Sequence, residues 1–146
     1  MARSVSVSRV IAAPPAAIFD LLASPAGHAR IDGSGSVQAA APSGPERLSL
    51  GAKFGMKMKL GIPYTITNEV VEFDEDRRIA WRHFGRHVWR YELEPVEGGT
   101  KVTETFDWSG AIWPKGIELM GYPHKHPAAM QRTLERIEQL VTEADH

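Results

Sequence analysis

A chain of 146 residues fits one domain, 1–146, and is long enough to bury a sizeable core. Its 17 Lys and Arg against 18 Asp and Glu leave a formal charge of -1, so the basic footprint of a nucleic-acid binder is missing from the total. Cysteine is absent, which excludes disulfides, thiolate chemistry and cysteine-bound zinc.

Residues 4–11 alternate, with Val5, Val7 and Ile11 opposite Ser4, Ser6 and Ser8; a period of two predicts a strand with one buried face. Arg9 interrupts that pattern and is expected near the strand end. No apolar core of a signal peptide precedes the strand, and no run of about 18 apolar residues follows it. The expectation is a cytoplasmic chain without a membrane span. Pro14-Pro15 suits the first turn of a helix, followed by Ile18, Leu21 and Leu22 as its apolar stripe. Ser24-Pro25 restarts the signal for a second short helix to Arg30. Residues 32–45 are rich in Gly, Ser, Ala and Pro; across the wider stretch 31–51 the glycines and prolines suit turns, with a weak strand expected over 36–41.

Strong strand signals begin at Ala52. Phe54, Met56, Met58 and Leu60 share one parity, and Gly61-Ile62-Pro63 is expected to end that strand. Further strands are predicted over 64–73, 78–84, 88–94 and 101–108, with Glu97-Gly98-Gly99-Thr100 as a hairpin turn. Trp81 and His83, then Trp89, Tyr91 and Leu93, then Val102, Glu104, Phe106 and Trp108 fall on the parity assigned to the inside. Arg82 and Arg90 fall outside, where pairing with Glu92 or Asp107 is expected. A short helical piece over 115–120 precedes a long one starting near Pro127, whose stripe is Met130, Leu134, Ile137, Val141 and Ala144. Consecutive strands joined by hairpins make an antiparallel sheet, and the terminal helix is the large element left to cover its apolar face. The fold class is therefore α+β: a curved antiparallel sheet of about seven strands around a long C-terminal helix, with two short helices after the first strand.

This order resembles the helix-grip fold of the START-related SRPBCC superfamily, in its polyketide cyclase/dehydrase and lipid-transport branch. The resemblance rests on residues 11–22 (IAAPPAAIFDLL), 78–82 (RIAWR), 91–95 (YELEP) leading into 99–104 (GTKVTE), and the amphipathic 133–140 (TLERIEQL). These stretches carry architecture rather than catalysis. The resemblance implies a cavity between sheet and helix for a lipid, polyketide or aromatic compound, and in some members cyclisation or dehydration of a bound polyketide.

A curved sheet and a straight helix leave a gap that side chains or a ligand must fill. The candidate lining is Met56, Met58, Trp81, Trp89, Phe106, Trp108 and Met130, since thioethers adapt and aromatic faces accept flat apolar molecules. Trp113 is placed at the rim, with the loop that carries His124-Lys125-His126. Each of these could equally be plain core. His83, Tyr91 and Glu104 lie on three successive strands and could form a polar row able to move protons or hold a ligand's polar end; a satisfied structural network is the competing reading. The two histidines at 124 and 126 lack an evident third ligand, so no metal is assigned, and no cofactor motif appears. The expected partner is a small hydrophobic molecule, with a homodimer left open. Carriage is favoured over a cyclase, aromatase or dehydratase that uses His83, Glu104 and Tyr91 as acid–base groups.

Overall fold

A computed structural model describes residues 3–32, 37–40, 45–60, 62–82, 86–119 and 121–143. Strand β1 (Ser4–Ile11) is followed by helices α1 (Pro15–Leu22) and α2 (Pro25–Ile31). Six strands come next: β2 (Val37–Ala40), β3 (Lys53–Leu60), β4 (Ile62–Asp74), β5 (Arg78–Arg82), β6 (Val88–Val96) and β7 (Gly99–Asp107). Helices α3 (Pro114–Leu119) and α4 (Tyr122–Glu143) end the described chain. The strands form one antiparallel sheet in the order β1-β7-β6-β5-β4-β3-β2, so every neighbour but the β1–β7 pair is consecutive in sequence. The curved sheet wraps α4, which lies against β1, β7, α1 and α2.

Local chemistry explains the early elements. Pro14 holds an extended backbone and Pro15 opens α1, which buries Ile18, Phe19 and Leu22. The Ser24 side chain caps α2 by accepting from the Gly27 amide at 3.3 Å. Gly27 brings α2 so close to α1 that a Cβ there would meet the Leu21 carbonyl oxygen. Gly98 and Gly99, at φ 88° and 153°, make the β6–β7 turn, and a Cβ on Gly99 would run into the Ile11 backbone.

Helix α4 and strand β4 start earlier than the sequence predicts, and Arg9, near the end of β1 as expected, keeps the alternation rather than breaking it. Helix α4 starts at Tyr122, and Pro127 lies inside it, so residues 124–126 belong to its first turns rather than to a loop. A proline in the second turn removes one hydrogen bond close to an end whose groups are only partly paired, which limits the disruption. Ile62 already begins β4, directly opposite Leu60, because the β3–β4 connection is very tight. Arg9 stays inside β1 on the inward face: its Nη2 reaches Glu138 Oε1 on α4 at 2.9 Å, which joins two elements otherwise held by apolar contact. Among the described residues no helix is long and apolar enough to cross a membrane.

A shift of register between Val70 and Glu72 re-phases β4. Val70 is buried on one side of the shift and Phe73 packs edge-on against Phe19 on the other, so both halves of a long strand keep their apolar residues inside. The interior divides into two clusters. The larger joins Ile18, Phe19, Phe54, Met56, Ile79, Tyr91, Leu93 and Val102 to Leu134, Ile137 and Val141 of α4. The smaller is built on Phe106, Trp108 and Met130, with Trp89 and Ile117 packed against it.

Candidate functional site

Glu104 stands at the seam between the two clusters. On β7 its inward-facing neighbours are Val102 of the larger cluster and Phe106 of the smaller. The rung through Glu104 carries Val7 of β1, Tyr91 of β6 and Ile79 of β5. Glu104 and Tyr91 are thus direct cross-strand partners, as their parity suggests, while the β5 member of their rung is Ile79. His83, expected to share that row, lies outside the described residues.

Both polar partners are buried, with Glu104 3% and Tyr91 4% exposed. Loss of hydration pushes the Glu104 carboxyl up to about 8, although the Tyr91 hydroxyl donates to it and works the other way. The nearby Asp32 adds a like charge and raises it further. Burial and the same carboxyl hold the Tyr91 phenol well above its usual range. Near neutral pH this places a carboxylic acid, able to donate as well as accept, on a wall of apolar groups. Its Oε1 is fully buried and has no hydrogen-bond partner among the described residues. An orphaned buried oxygen is costly, by about 1–3 kcal/mol.

Aromatic rings extend from this pair in both directions. Trp81 stacks on Tyr91 at 5.6 Å between centroids, and His28 stacks on Trp81 at 4.4 Å. His28 also meets Phe54 edge-on at 5.3 Å. Sequence reasoning missed His28 because a short helix with one histidine carries no periodic signal. Its Nε2 donates to the Leu22 carbonyl at 2.7 Å, and complete burial lowers the ring to about 4, so it is neutral near pH 7. In the smaller cluster Trp89 packs on Phe106 at 4.6 Å and Trp108 stacks on Phe106 at 5.6 Å. His126 of α4 meets both Trp89, at 5.0 Å, and Phe106, at 4.6 Å. Trp108 Nε1 and Arg9 Nε are likewise buried without a partner among the described residues.

The predicted lining residues divide by access. Met56, Phe106, Trp108 and Met130 are buried, whereas Met58, Trp81 and Trp89 are half-buried. Trp113 is 62% exposed, its ring laid over Gly116 of α3. Ile112 and Leu119 beside it are exposed too. Of the two arginines expected outside, Arg90 reaches the expected Asp107 at 3.7 Å but lies closer to Glu72, at 2.6 Å, while Glu92 is bound by Arg78 at 3.1 Å. Arg82 lies 3.9 Å from Glu69 rather than against either expected partner. Among the described residues no cluster of His, Asp and Glu could hold a metal. A groove of about 340 Å³ on the outer sheet face is lined by Arg77, Arg78, Glu92, Glu94 and Lys101, a charged surface unsuited to an apolar molecule.

Comparison with known proteins agrees with this architecture. Protein Rv0088 of Mycobacterium tuberculosis (strain H37Rv), itself uncharacterized, is 39% identical over 139 residues, which cover 91% of this chain and 62% of that protein. The chain thus spans less than two thirds of the length of that relative. The structure of protein NE0264 from Nitrosomonas europaea has the same fold, with a TM-score of 0.76 at 17% identity over 97% of this chain and 96% of that one. So does the Polyketide_cyc-like protein Cgl2372 from Corynebacterium glutamicum, with a TM-score of 0.60 at 20% identity over 97% and 93%. Residues 2–142 match the family described as polyketide cyclase/dehydrase and lipid transport. The chain belongs to that family, a branch of the SRPBCC superfamily.

Proposed function

We propose that the protein binds and carries a small, mainly apolar molecule between the inner sheet face and α4. Glu104 and Tyr91 hold the ligand's polar end. Its apolar body enters past the half-buried Met58, Trp81 and Trp89 and rests on Met56, Phe106, Trp108 and Met130, with Trp113 at the rim. The observation that carries this reading is the Glu104 carboxyl, buried at the seam of two hydrophobic clusters with one oxygen unpartnered. A group that expensive is retained more readily for binding than for stability. The reading involves no cofactor and a cytoplasmic setting, and it leaves a homodimer open.

Native mass spectrometry of the purified protein tests the proposal, together with tryptophan fluorescence during titration with lipids and aromatic compounds. A co-purified small molecule and a saturable spectral shift are expected. No retained mass and no shift across the panel would remove the proposal.

The elevated Glu104 carboxyl also favours a second reading, an acid catalyst of the cyclase or dehydratase type, in which Glu104 gives a proton to a ligand oxygen, with Tyr91 and His83 as the other acid–base groups. That reading requires Glu104→Gln to lose turnover of a bound polyketide while keeping its affinity. Equal turnover in both proteins would eliminate it.

A further inference from the structure

We propose that the polar end of the ligand is a basic nitrogen, so that the seam at Glu104 takes apolar amines and rejects apolar carboxylates. The inference rests on the carrier reading and assigns its ligand class.

The one charge shown to act on the Glu104 carboxyl, that of Asp32 at the C-terminal end of α2, is negative and favours a cation. Nearby basic groups are directed elsewhere. Arg9, one inward position along β1 from Val7, sends Nη2 to Glu138, while its buried Nε has no partner among the described residues. Arg136 of α4 donates Nη1 to the Asp32 backbone carbonyl at 2.8 Å. His28 is held neutral in its buried bond to Leu22. Among the described residues no cation contributes to the titration of Glu104. The rings beside it add to the same preference. Tyr91 and Phe106 are its cross-strand and same-strand neighbours, and Trp81 and Trp89 stand next to them. Ring faces attract cations and repel anions. A carboxylate ligand would meet two carboxyl groups and no counter-charge, which is strongly unfavourable in a buried site.

The proton balance gives the inference a specific signature. Near pH 7 the empty site holds Glu104 mostly protonated, and a simple alkylamine is an ammonium ion in solution. Binding forms one ammonium–carboxylate contact, and the carboxyl proton leaves to the buffer. A neutral carbonyl ligand would accept from the protonated acid and release nothing.

The experiment uses a matched set of probes, 4-phenylbutylamine, 4-phenylbutanoate and 4-phenylbutan-2-one, titrated calorimetrically at pH 7 in buffers of different ionisation enthalpy. The amine is expected to bind at least tenfold more tightly than the carboxylate, with release of close to one proton per ligand. Its affinity should fall at least tenfold in Glu104→Gln, with far-UV circular dichroism confirming the fold. Proton release is read on the wild type, so the inference is decided even where the variant does not fold. Tighter binding of the ketone than of the amine, amine binding without proton release, or unchanged amine affinity in Glu104→Gln would overturn the amine assignment and leave the carrier reading standing. Failure of all three probes to bind would overturn the assignment; the carrier reading then falls only if native mass spectrometry also finds no retained molecule.

Discussion

The two clusters beneath one sheet are built differently. The larger is closed by α1, α2 and the C-terminal half of α4, and residues such as Ile18, Phe19, Leu134 and Ile137 are wholly buried. The smaller has three buried members, and its remaining contacts come from the half-buried Val5, Val7, Trp89, Ala111 and Ile117. It borders α3 and the preceding loop, where Ile112, Trp113 and Leu119 are exposed. Half-buried apolar side chains contribute less to stability than fully buried ones. The larger cluster is therefore the main support of the fold, and under the proposed function the smaller one, through Trp89, forms part of the way in.

Paired truncations can break that division. Leu134→Ala in the larger cluster is expected to cost about 4 kcal/mol in urea unfolding, while Ile117→Ala in the smaller costs about 1 kcal/mol. Equal costs would mean that the two clusters are packed alike.

The seam and the floor of the larger cluster should respond oppositely to pH. Glu104 has a folded value near 8 against about 4.5 unfolded, so from pH 4.5 upward the unfolded chain loses its proton first and stability falls until about pH 8. His28 has a folded value near 4 against about 6.5, so the unfolded chain takes up a proton first as pH falls, and stability drops between pH 6.5 and 4. The Glu104 effect amounts to roughly 5 kcal/mol and the His28 effect to roughly 3 kcal/mol, and they oppose one another between pH 4.5 and 6.5. The melting temperature of the wild type should therefore vary little across that window. Glu104→Gln should uncover a rise through it, and His28→Phe a continuous fall to pH 8. A flat profile in both variants would show that neither group is held as described.

Smaller effects sharpen the picture. Trp89→Phe should leave the unfolding midpoint within about 1 kcal/mol of wild type but remove most of the ligand-induced fluorescence change, since the residue is half-buried in the accessible cluster. A full response in that variant would move the entry route elsewhere. Arg9→Met should cost less than about 1 kcal/mol, because Arg9 and Glu138 are each about a third exposed. A larger loss would make the β1–α4 strap a principal support of the site.

Much of this arrangement was legible along the chain. The period-two runs through Phe54, Met56, Trp81, Trp89, Tyr91 and Phe106 and the helical stripe at Met130, Leu134, Ile137 and Val141 depend on local geometry, so parity alone assigned their faces. Parity also placed Tyr91 and Glu104 inside and Arg90 outside. It could not place Ile79, rather than another β5 residue, on the Tyr91–Glu104 rung. Register depends on the tight β3–β4 turn, the β6–β7 turn and the shift between Val70 and Glu72. Nor could it find His28 under Trp81, or Glu138 as the partner of Arg9 across 129 positions of sequence. Periodicity reports which way a side chain points from its own backbone. What it meets there is decided when distant segments pack, and that packing put a buried acid with one unpartnered oxygen at the boundary of two hydrophobic clusters.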